Sequence, residues 1–74
     1  MRLKINLDTR TKAQQLNQIA SQLADEDIYL VSGDGKLRAH AKSIMGVLYS
    51  MEFEDLWIES AQDHYFAFSQ FMAE

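Results

Sequence analysis

The 74-residue chain contains no cysteine. It has no disulfide framework, zinc ribbon or thiol nucleophile, so packing alone must hold it together. A domain of this length buries only about 60–65% of its unfolded surface and is stable by a few kcal/mol at most. Its apolar residues must therefore be placed economically, and they are numerous enough: 47% of the chain is hydrophobic and 24% charged, the balance of a globular protein rather than a disordered one. No apolar run approaches the roughly 20 residues that span a bilayer, and Met1-Arg2-Leu3-Lys4 lacks the apolar core of a signal peptide. These observations predict one cytoplasmic domain over residues 1–74, with no membrane association.

Periodicity supplies the elements. Leu3, Ile5 and Leu7 alternate with Arg2, Lys4 and Asn6, the period-2 mark of a half-buried strand. Thr11 and Gln14 form a capping box, which predicts a helix from Thr11 to about Leu23. Its buried face would carry Leu16, Ile19, Ala20 and Leu23, and Gln14, Asn17, Gln18 and Ser21 would face water. Asp25, Glu26 and Asp27 oppose the dipole at its end and stop it. Ile28–Ser32 reads as a second strand, Ser32-Gly33-Asp34-Gly35 as a tight turn, and Lys36–Ala41 as a third strand with Leu37, Ala39 and Ala41 inward. Ser43 is placed to cap a short helix from Ile44 to about Met51. Leu56–Glu59 gives a fourth strand. Ser60 and Asp63 precede a last helix expected to present Ala61, Tyr65, Phe68 and Met72 to the core. The order β-α-β-β-α-β-α predicts an α+β open-faced sandwich, a four-stranded antiparallel sheet with three helices on one face.

Charge and surface bear on partners. The first 42 residues hold seven bases and five acids, whereas the last 32 hold six acids and no base. This bipolar, acidic chain speaks against nucleic acid, which asks for a basic face, and fits a protein partner better. Ile44, Met45, Val47, Leu48, Tyr49 and Met51 sweep roughly 200° of the second helix, wider than one core stripe requires. Tyr29, Val31 and Trp57 fall on the sheet face that the helices leave uncovered.

Few residues invite chemistry. His40 and His64 sit on different elements with no Glu or Cys at ligand spacing, so neither a metal nor any other cofactor is expected. Gly33-Asp34-Gly35-Lys36 lacks the long loop and following helix of a phosphate-binding motif and reads as a turn. Ser43 is the exception. It puts a hydroxyl at a helix start with Lys42 beside it, where a phosphate carrying about −1.5 to −2 charges would be welcomed.

The segment Lys42-Ser43-Ile44-Met45-Gly46-Val47, preceded by Gly35-Lys36, resembles the regulatory-serine helix of HPr, the phosphocarrier of the sugar phosphotransferase system. The element order is also that of the HPr family. The resemblance implies that Ser43 is phosphorylated by an ATP-dependent HPr kinase. It also implies that Ile44, Met45 and Leu48 press against protein partners, and that Arg10 in Leu7-Asp8-Thr9-Arg10 corresponds to the arginine of the family's active motif.

The departures matter as much. Asp8 stands at the position of the phosphoryl-accepting histidine if Thr9-Arg10 is matched. Ungapped spacing back from Ser43 gives Lys12, and one inserted residue gives Thr11. No register supplies a histidine, and the motif's proline is missing. The expectation is an HPr-like protein, similar to the Crh-type regulators, that has lost phosphoryl carriage. It would act in carbon catabolite regulation by contacting a transcriptional regulator or phosphotransferase-system components, with Arg10, Ser43, Ile44, Met45 and Leu48 as its partner surface. Two alternatives stand beside it. One is a working phosphocarrier with an atypical acceptor. The other is a ferredoxin-like module that forms a homodimer through Tyr29, Val31 and Trp57.

Overall fold

Three strand pairings of fixed register organise the molecule, which a computed structural model describes over residues 1–73. In chain order the elements are β1 (Arg2–Lys4), α1 (Arg10–Gln22), β2 (Ile28–Ser32), β3 (Arg38–His40), α2 (Ile44–Ser50), β4 (Leu56–Ser60) and α3 (Tyr65–Phe68). A 3-10 turn over Ser69–Phe71 follows. The sheet is antiparallel throughout, in the order β1-β4-β2-β3. Among the described residues, no helix is long and apolar enough to cross a membrane.

The register sorts side chains into rows. Leu3, Ile58, Leu30 and Ala39 stand side by side across the four strands, and this row faces the helices. It joins Ala13, Leu16 and Ala20 of α1, Val47 of α2, and Phe68 and Phe71 of the C-terminal segment in one buried cluster, with Leu3 partly covered at its margin and Ala39 buried at the β3 edge. Two rows of opposite parity form the other face: Arg2, Glu59, Tyr29 and His40, then Lys4, Trp57, Val31 and Arg38. The result is a small α+β fold with a four-stranded antiparallel sheet and three helices.

Turn and cap chemistry set the connections. Gly35 adopts φ +76° and donates to the Ser32 carbonyl at 2.9 Å, closing the β2–β3 turn. Asp34 Oδ1 accepts from the Ser32 hydroxyl at 2.6 Å and from the Lys36 amide at 3.0 Å. These bonds, the hydroxyl first, hold the Asp34 carboxyl below its ordinary value. The C-terminal segment runs back along the chain's beginning: Asn6 donates to the Phe71 carbonyl at 2.8 Å and Ala73 to that of Lys4 at 3.0 Å.

Four expectations need correction. α1 starts at Arg10, with Thr9 rather than Thr11 as its cap; Thr9 Oγ1 accepts from the Lys12 amide at 3.1 Å. Starting there turns the chain immediately after buried Leu7 and delivers Ala13 to the core. Only Arg38–His40 of the third strand is laddered, and Leu37 lies exposed before its start, next to the β2–β3 turn. The last helix has four residues, not a full amphipathic face, and Ala61, Tyr65 and Met72 are exposed while Phe68 and Phe71 are buried. Val31 lies on the open face as expected but is only 2% exposed, hidden among Arg38, Trp57 and their neighbours.

Candidate functional site

Ser43 caps α2. Its backbone is extended, its Oγ accepts from the Gly46 amide at 3.1 Å, and its carbonyl accepts from Val47 at 2.9 Å. The residue is exposed. Val47 and Ser50 form the buried stripe of α2, and Ser50 satisfies its hydroxyl on the Val47 carbonyl at 2.6 Å. The surplus apolar residues lie outside that stripe: Ile44 is 39% exposed, Tyr49 50% and Met45 74%. Leu48 differs from this set, since it is partly buried against the core and offers only part of its side chain.

Gly46 explains how α2 lies so near the sheet. A Cβ there would stand 3.0 Å from the His40 carbonyl oxygen and 3.4 Å from Ala39 Cβ. The glycine inside the Lys42–Val47 motif therefore has a packing reason. It permits α2 to rest on the β3 edge, where His40 also accepts from the Ser43 amide at 3.2 Å.

Lys42 does not serve Ser43 in the way its sequence position implies. Its Nζ turns the other way, donating to the Leu23 carbonyl at 2.7 Å and meeting Glu26 Oε1 at 3.3 Å. It thus caps the end of α1, whose last carbonyls lack partners within the helix. The ammonium is drawn there because the cap carbonyl and a carboxylate lie on the same side. Asn17 reinforces the junction by donating to the Ala41 carbonyl at 3.1 Å.

At the start of α1, Asp8 pairs with Lys12 at 3.0 Å, and Arg10 and Thr11 are exposed. Neither histidine is there. His40 packs against Tyr29 on the open sheet face, ring centroids 5.0 Å apart and planes tilted by 46°. His64 precedes α3, where its Nε2 is hydrogen-bonded to Asp25 Oδ2 at 2.8 Å and its ring meets Phe68 edge-on. Asp25 and His64 side chains are 6% and 12% exposed. The His64 bond, followed by the Asp27 amide, lowers the Asp25 carboxyl from its ordinary value. In the sequence, Asp25-Glu26-Asp27 reads only as a helix stop. No local spacing links residue 25 to residue 64, so the pair carries no signal in the sequence.

The open sheet face is less apolar than its residue types imply. The Arg2 guanidinium lies 3.9 Å over the Trp57 ring and pairs with Glu59 at 2.9 Å, and Arg38 lies 4.6 Å over Tyr29. These stacked cations cover the aromatic planes. What remains is therefore a mixed polar face with aromatic planes under arginine, beside an α2 surface with three exposed apolar side chains. Comparison of the chain with protein-family models, curated proteins and solved structures gave no match.

Proposed function

We propose that the chain is an HPr-like, non-catalytic regulatory protein related to the sugar phosphotransferase system, controlled by phosphorylation at Ser43 and acting through protein contacts. The observation that carries this reading is the α2 surface: an exposed serine at the helix cap, followed at once by exposed Ile44 and Met45. A hydroxyl so placed is open to a kinase, and a phosphate there would change the charge beside an apolar docking patch without entering the core. Arg10 and the exposed part of Leu48 complete the proposed partner surface, with an HPr kinase and a transcriptional regulator or phosphotransferase-system component as partners. The α+β architecture and the element order are those the resemblance implies.

HPr kinase with ATP is expected to label the wild type and to leave Ser43→Asn unlabelled. Asparagine keeps a capping acceptor but removes the hydroxyl, so loss of label cannot be blamed on a frayed helix. An unlabelled wild type overturns the reading.

The start of α1 supports loss of phosphoryl carriage. Asp8, the carboxylate there, is engaged with Lys12, and both histidines lie on other elements. With enzyme I and labelled phosphoenolpyruvate, the chain is expected to take up no acid-labile phosphate. Uptake would establish the phosphocarrier alternative instead.

A further inference from the structure

We infer that the outer face of α1, together with the exposed side of α2, is a self-association surface that takes a second copy of this chain in a two-fold, antiparallel contact. From Ala13 to Ala24 there is no charged residue, although 24% of the chain is charged. Gln14, Gln15 and Gln18 on this stretch are exposed, and with Thr11, Asn17 and Ile44 they line one shallow groove between the two helices. Met45 and Tyr49 stand exposed on the neighbouring turns of α2. Of the bases near this field, Lys12 pairs with Asp8 and Lys42 with Glu26, and Arg10 stands exposed at the margin, at the start of α1. Interface cores are depleted in charge in this way, whereas a solvated helix face ordinarily carries it.

A second copy is the occupant that the charge pattern selects. The chain carries a net charge of −4, so two copies repel across most approaches, but not across an uncharged face. A two-fold axis sets each patch against itself, which penalises fixed charges and suits amides, since each glutamine both donates and accepts. The ends of α1 add complementarity. Arg10 is exposed at its start, and Glu26, which meets Lys42 through Oε1 but keeps its side chain 82% exposed, lies just past its end. Antiparallel pairing sets each Arg10 near Glu26 of the second copy. The 13-residue helix is about 20 Å long, enough for a small isologous contact. The sheet face is a poorer candidate for homodimerisation, because Arg2 and Arg38 already cover its aromatics.

This surface includes Ile44 and Met45, so self-pairing and docking of another protein compete for it. The inference does not rest on phosphorylation of Ser43: a dimer that no kinase labels would keep it and discard the functional reading. Sedimentation equilibrium from about 10 μM to about 1 mM spans weak association. Across that range the wild type should rise from 8.5 kDa toward twice that mass. The doubly substituted Gln14→Lys/Gln18→Lys and Gln14→Glu/Gln18→Glu chains should each remain monomeric, and an equal mixture of the two should pair again. Trp57→Ser should dimerise like the wild type. A wild type that stays monomeric throughout, charged variants that still dimerise, a mixture that fails to pair, or a dimer lost in Trp57→Ser would each overturn the inference.

Discussion

Asp25 accepts from two sides: His64 on Oδ2 at 2.8 Å and the Asp27 amide on Oδ1 at 2.9 Å. Its carboxyl is held below the ordinary 3.8 by these bonds, so the folded chain binds this proton more weakly than the unfolded chain does. The stabilisation is therefore fully present above that ordinary value and is lost as pH falls through the depressed one. Urea unfolding at stepped pH should show stability falling below about pH 3.8 in the wild type and falling less steeply in Asp25→Asn. The variant should retain some slope, because Asp34 is lowered too. Parallel curves for the two proteins would exclude the pair as a source of acid sensitivity. At this scale the sequence was readable where chemistry is local. Ser43 as a cap, and Asp34-Gly35 in a turn, follow from neighbours a few residues away. Thr9 and Thr11 are both competent caps, and what separates them is the anchoring of Leu7 and Ala13 in a core that only the folded chain possesses. Lys42 turning to Leu23 is invisible for the same reason.

The helices differ in how far their faces could be foreseen. α1 has four turns over which apolar periodicity can accumulate, and its buried Leu16 and Ala20 match the expected stripe. α3 has one turn and then tightens into a 3-10 turn. In that geometry, side chains three apart eclipse, so Phe71 rather than Met72 follows Phe68 into the core. Four apolar residues in a single turn cannot announce such a switch. The contrast between Phe68, fully buried, and Phe66, 94% exposed, tests the assignment directly. Phe68→Ala should cost about 3–5 kcal/mol, a large share of the few kcal/mol by which a domain this size is stable. It should leave the chain largely unfolded on warming. Phe66→Ala should stay within about 0.5 kcal/mol of the wild type. Chemical denaturation monitored by Trp57 fluorescence would separate the two, and equal losses would refute the orientation of α3.

For the whole molecule, the contrast between a basic front half and an acidic rear half is reduced on folding. β4 brings Glu59 to Arg2 at 2.9 Å, and the turn before it brings Asp55 to Lys4 at 3.2 Å, so bases of the first strand meet acids from the last third. The order of elements was legible because each has its own periodicity and punctuation. The order of strands was not, since neighbours in the sheet are chosen by packing between distant segments. The candidate docking patch was legible as an excess of apolar residues on α2, whereas the covering of Tyr29 and Trp57 by arginines depends on cross-strand register. Placement of β4 between β1 and β2 has a consequence for biosynthesis. A ribosome makes β4, one of the two inner strands, last of the four, so a nascent chain can close the β2–β3 hairpin early but must carry its first strand without a ladder partner until Leu56–Ser60 emerges. Sheet completion then becomes one late, long-range event, and the apolar faces of the earlier strands wait for it before they are fully covered.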